Sequence, residues 1–192
     1  MLFVKDMKKL GYITCNVQDI CHKELMAIEN MENYTYIEFD HEYSAPNCDP
    51  NVYHYGFGLF GGENGVLRKC LYGKDSFEHS LEYAKQFWIS YKQNKRFLRI
   101  VNTYAHEYSG EKAKYSDDAL YKFLQDLFFN NLLENTTVFF AGDHGFALMG
   151  LYELLKPNDW KIEKYLPILF VIVCDKKNKT YSEQYSEMLK IY

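Results

Sequence analysis

The sequence predicts an α/β domain of three layers, α/β/α, around a mainly parallel sheet. Two observations carry this. Runs of β-branched and aromatic residues alternate with stretches whose apolar residues recur at helical spacing. Two of those runs, near 97–102 and 136–141, flank one amphipathic helix. A strand, a helix and a second strand imply parallel pairing through a right-handed crossover.

The elements follow in order. Phe3, Met7 and Leu10 mark a helix over 2–10, which Gly11 suits as a terminator. Tyr12 to Cys15 reads as a short strand, and Asp19 as the cap of a helix over 20–31. Residues 41–75 are glycine-rich and read as a loop-rich insertion, the kind of segment that tends to carry function. Leu81, Ala84, Phe87, Trp88 and Tyr91 give a helix over 77–92, followed by a strand at Phe97–Val101. Ser116, Asp117 and Asp118 open the next helix, whose stripe is Leu120, Phe123, Leu124, Leu127 and Phe128. Thr136–Ala141 and 166–174 read as buried strands, and 181–190 as a last helix.

Composition narrows the function classes. At 192 residues the chain is read as one domain, 1–192, with 47% hydrophobic and 25% charged residues, which excludes general disorder. Twenty-two basic and 26 acidic side chains leave a net charge of −4 without a long basic run, so nucleic acid is not an expected partner. The apolar run Tyr165–Cys174 contains Pro167 and is too short to span a bilayer, so no transmembrane segment is expected. Five cysteines form no C-x-x-C pair, which argues against a zinc knuckle. Sequons at Asn33, Asn135 and Asn178 permit glycosylation in a secretory lumen.

Chemistry concentrates at the strand ends. Open α/β sheets bind ligands at the carboxyl edge, and in a βαβ unit both strands end at that edge. Asn102-Thr103-Tyr104-Ala105-His106 follows the first strand, and Gly142-Asp143-His144-Gly145 follows the second. A carboxylate and an imidazole are both zinc donors, and Gly142 and Gly145 supply the turn needed for neighbours to reach one ion. The same residues are also ordinary turn formers; ligation is the favoured reading. Asp40-His41 is a second, weaker pair without flanking glycines. His22 and His79 read as exposed helix residues, and His54 has nothing nearby to recruit it. Gly56-Phe57-Gly58-Leu59-Phe60-Gly61 echoes a dinucleotide loop but follows no strand, so nucleotide binding is not expected there.

The stretch Asn135 to Gly145 resembles the metal strand of the alkaline phosphatase superfamily, n-T-x-v-x-f-x-S-D-H-G, with Gly142 in place of the usual serine. Lys9-Leu10-Gly11-Tyr12-Ile13-Thr14, Cys48-Asp49-Pro50, Cys70, Ala105-His106-Glu107 and Leu166-Pro167-Ile168 extend the likeness, which is nearest to a eukaryotic sulfatase-like family of unknown substrate. The resemblance implies metal-assisted hydrolysis of a phosphate or sulfate ester, on a small molecule, a glycan or a lipid. It implies Asp143 and His144 as ligands of a divalent ion (zinc, calcium or manganese) and His106 as a contact to substrate or metal. It also implies a Cys48–Cys70 bridge if the parent protein is secreted; Cys15 and Cys174, placed in strands, are expected as buried free thiols.

Two departures qualify the likeness. Asn102 stands where the phosphodiesterase branch has an aspartate. The strand and nucleophile that normally precede the Lys9–Thr14 match have no counterpart, so the chain reads as N-terminally incomplete, without its own nucleophile. The alternatives are a fragment of a working hydrolase, extracellular or lumenal in its parent, and an inactive domain kept for binding.

Overall fold

A computed structural model of the chain describes residues 2–19, 39–44, 70–106, 112–145, 161–162 and 164–174. The helices predicted over 20–31 and 181–190, and most of the glycine-rich insertion, lie outside these residues. The described elements make a mixed α/β fold: a parallel sheet of three strands with helices against it, and two small antiparallel pairs.

Helix α1 (Leu2–Lys9) carries Lys8 and Lys9 in its last turn, where their charge complements the helix dipole. It stops at Gly11, whose φ of +82° is a left-handed conformation that suits glycine. The Gly11 N–H donates to the Lys8 carbonyl at 2.9 Å and the Tyr12 N–H to that of Met7 at 3.1 Å. The turn delivers the chain into β1 (Ile13–Gln18), longer than its sequence suggested.

Strand β1 is the centre of the parallel sheet, between β2 (His41–Tyr43) and β5 (Arg96–Val101). Asn16 stands opposite Glu42 on one side and Arg99 on the other. The first residues of the predicted insertion are therefore a sheet strand. A hairpin of β3 (Cys70–Leu71) and β4 (Lys74–Asp75) leads into α2 (Ser76–Ser90), where Asp75 caps the helix by accepting the Phe77 N–H at 2.9 Å.

The main core lies between α2, the helix α3 (Lys114–Phe129) and the sheet. Cys15 and Val17 from β1 meet Ala84, Phe87 and Trp88 of α2, with Leu127 of α3 and Leu133 beyond it. The Trp88 indole N–H donates to the Leu132 carbonyl at 2.8 Å, and the Arg96 guanidinium lies 4.0 Å from its ring centroid. Helix α3 begins two residues before Ser116. That serine sits inside the first turn and donates its hydroxyl to the Ala113 carbonyl at 2.7 Å, so it does not cap the helix.

The last two strands correct the predicted sheet. β6 (Thr136–Ala141) pairs antiparallel with β7 (Leu169–Cys174), Thr136 opposite Cys174 and Ala141 opposite Leu169. They form a sheet of their own and do not extend the parallel one. The reason is where the chain comes back. Gly142 N–H donates to the Ile168 carbonyl at 2.9 Å and Gly145 N–H to the Lys164 carbonyl at 3.1 Å, so β7 starts beside the end of β6. A parallel partner would have to start at the other end. Val138 still packs against the main core, but Phe139 is 70% exposed, where a buried strand was expected.

Candidate functional site

Two segments bear the candidate residues, one after β5 and one after β6. After β5, the Asn102 side-chain oxygen accepts the Tyr104 N–H at 2.8 Å, an Asx turn that bends the chain off the strand. The Thr103 N–H meets both carboxylate oxygens of Asp19 at 3.0 Å, and its hydroxyl donates to the first of them at 3.0 Å. The Tyr104 hydroxyl donates to Asp75 and stands 3.1 Å from the Ser76 hydroxyl. Burial, and next the Asp75 carboxylate, push that phenol well above its ordinary pKa. Lys112, only 2% exposed, holds its ammonium 4.8 Å from the Tyr104 ring centroid. His106 ends the segment with an exposed side chain, its N–H donating to the Thr103 carbonyl at 2.9 Å.

After β6 the chain turns through Gly142, Asp143, His144 and Gly145, tied to the returning segment by the two backbone bonds described above. Asp143 is 89% exposed in its side chain and His144 50%. One Asp143 oxygen accepts the His144 N–H at 2.9 Å. His144 Nδ1 lies 2.7 Å from the Gly145 carbonyl, which can only accept, so that nitrogen carries a proton. In the neutral ring Nε2 therefore keeps its lone pair, and it faces the other Asp143 oxygen at 3.7 Å. Metal-bound histidines commonly use this arrangement, a ring N–H on a carbonyl and the other nitrogen on the ion. Bonds of about 2.0–2.1 Å from each donor reach across such a gap.

The donor pair fits a divalent ion in kind and spacing, but two donors fall short of the three that a catalytic zinc site takes. Among the described residues no group of three His, Cys, Asp or Glu side chains assembles for a metal. The structure thus brings Asp143 and His144 together and does not join His106 to them in a three-donor cluster. Gly142 also proves less special than its position suggested. Its φ is not left-handed, and an added Cβ would lie 3.5 Å from the His144 carbonyl oxygen and 3.5 Å from the Pro167 Cβ, ordinary contacts. A serine fits there.

The other sequence candidates have structural work. The Asp40 carboxylate accepts the Thr14 N–H and hydroxyl, both at 2.8 Å, and pairs with Lys8 at 2.9 Å. Burial pushes its pKa up, but the Lys8 and Thr14 bonds outweigh this and hold it below the usual value. His41 Nε2 meets the Tyr91 hydroxyl at 2.8 Å, and its ring packs against Phe87. His79, expected on the surface, is half-buried and hydrogen-bonded to the Leu71 carbonyl at 2.8 Å. His22 and His54 lie outside the described residues. Cys15 is a buried free thiol as expected, and Cys70 is a free, exposed thiol whose expected partner Cys48 lies outside the described residues. Sequence reasoning missed Asp19 and Asp75 as anchors of the His106 segment. An acid directly after a strand, at the edge where ligands bind, was the available signal for Asp19.

The chain is thus a mixed α/β protein with an exposed Asp-His pair on the turn after a strand. It belongs to the family described as "Protein of unknown function (DUF229)", whose model matches residues 2–190. This is a sulfatase-like family whose function is unknown. No curated protein and no solved structure matches the chain. No helix among the described residues is long and apolar enough to cross a membrane.

Proposed function

We propose that the protein is a metal-dependent hydrolase of phosphate or sulfate esters with a three-layer sulfatase-like fold, acting on a small-molecule, glycan or lipid ester. The observation that carries this reading is the Asp143–His144 pair, with the imidazole oriented by the Gly145 carbonyl so that Nε2 and a carboxylate oxygen face one another at 3.7 Å. Membership of a sulfatase-like family supports it. Asp143 and His144 would hold zinc, calcium or manganese, and what such an ion supplies is Lewis-acid polarisation of an ester oxygen. His106 is the proposed contact to the ester's oxyanion, where a donor placed at the developing charge lowers the barrier. The exposure of all three side chains leaves them open to a substrate.

A second reading, binding without turnover, is favoured by one observation: a third donor is missing among the described residues. One pair of measurements separates the two. Zinc, manganese and calcium are titrated calorimetrically into the chain, and release of an aryl alcohol from an aryl phosphate and an aryl sulfate is followed with the full-length protein, because no nucleophile is assigned within these 192 residues. Metal-dependent turnover that Asp143→Ala abolishes supports the hydrolase. Metal binding lost in Asp143→Ala and His144→Ala, without turnover, supports the binding module. Metal affinity unchanged in both variants would sink the site.

A further inference from the structure

We propose that Asp19 and Asp75 are positioning residues: two buried carboxylates on separate elements clamp the segment Asn102–His106 and fix where β5 delivers His106. This rests on the reading that His106 faces substrate or metal. Asp19, directly after β1 and 1% exposed, takes the Thr103 N–H and hydroxyl, all at 3.0 Å. Asp75, at the start of α2, takes the Phe77 N–H at 2.9 Å and the Tyr104 hydroxyl. One acid ties the segment to the sheet and the other ties it to the helix.

The two clamped residues stand immediately before Ala105 and His106, and the His106 N–H closes back onto the Thr103 carbonyl at 2.9 Å. Burying a carboxylate is costly unless donors meet its charge. Covering a loop does not need that expense, since neutral groups would suffice. Charged acceptors give stronger bonds, and each carboxylate here takes more than one donor, which suits a segment that must hold one geometry. His106 itself is exposed, so its placement comes from the backbone beneath it.

Amide hydrogen exchange of the full chain, read residue by residue, tests the clamp. Tyr104→Phe keeps the ring against Phe77 and Lys112 and deletes only the hydroxyl; Thr103→Ala deletes the other side-chain donor; Asp19→Asn removes the charge. Losing a hydrogen bond to a charged group should speed exchange at Thr103, Tyr104 and His106 about tenfold or more. Phe97 and Arg99, whose N–H groups face β1, should be unchanged, and Thr103→Ser should restore the slow rate. If Asp19→Asn does not fold, the other two variants carry the test. Unchanged exchange at 103–106, or equal acceleration throughout β5, would overturn the clamp. Turnover of an aryl phosphate by the full-length protein should then show kcat falling in Tyr104→Phe with KM little changed. If His106→Ala alters neither turnover nor zinc affinity, the positioning role falls with the site reading, whatever the exchange rates show.

Discussion

Four aspartates near strand ends separate by surroundings. Asp19, Asp40 and Asp75 each accept backbone or hydroxyl donors and hold one segment against another. Asp143 is almost fully exposed, and one of its oxygens faces His144 Nε2 at 3.7 Å. Residue type brought out Asp19, Asp40 and Asp143 but not Asp75, and saturation of the oxygens is a tertiary property, which is why Asp40 stood as a weaker ligand candidate and Asp19 reads as a helix cap. Asp40 also gives a pH test. Its folded-state pKa is lowered, so its stabilisation is complete above the unfolded value of about 3.9 and disappears as pH falls through the folded one. The gap in melting temperature between the wild type and Asp40→Asn should narrow between about pH 6 and about pH 2. A constant gap would show that the carboxylate's charge contributes nothing. The cysteines divide in the same way. Burial, and next the Glu42 charge, push the Cys15 thiol up to about 12, so at neutral pH it stays protonated. Iodoacetamide at neutral pH followed by peptide mapping should modify Cys70 and spare Cys15 until the chain is unfolded.

Helices and strands were read from the sequence with uneven success, and the failures have physical causes. The stripes of α2 and α3 and the run at β6 are local patterns, and each falls within two residues of its predicted bounds. β2 is three residues, His-Glu-Tyr, with no period to detect, and its strand character comes from pairing with β1. The direction in which β7 pairs was not legible either. Composition marks a strand, but the bonds from Gly142 and Gly145 to the returning segment set its sense. The stripe of α3 also makes a prediction. Leu127 is buried in the main core, whereas Phe128, one residue on, is exposed. Leu127→Ala should cost about 2–5 kcal/mol in urea unfolding, and Phe128→Ala no more than about 0.5. Gly142→Ala belongs to the same scale. With φ outside the left-handed region and room for a methyl, it should stabilise the β6 end by about 0.4–1 kcal/mol. Destabilisation there would mean the turn needs glycine after all.

Across the whole molecule, apolar character and burial part company at β6 and β7. Phe139, Phe140, Leu169, Phe170 and Val173 put apolar side chains on both faces of the pair, the pattern of strands covered on two sides, yet these residues are exposed. Val138, by contrast, packs on the core shared by α2, α3 and the sheet. Among the described residues of this pair, that contact is the one that adds to stability, because apolar surface left in water contributes no burial energy. An exposed apolar sheet also favours association between molecules. Phe139→Lys should therefore shift unfolding free energy by no more than about 0.5 kcal/mol while lowering light scattering and dye binding at high protein concentration. Val138→Lys should destabilise strongly, since it forces an ammonium against the core. If Phe139→Lys unfolds the chain as Val138→Lys does, both faces of β6 are buried in solution and the main core extends across the second sheet.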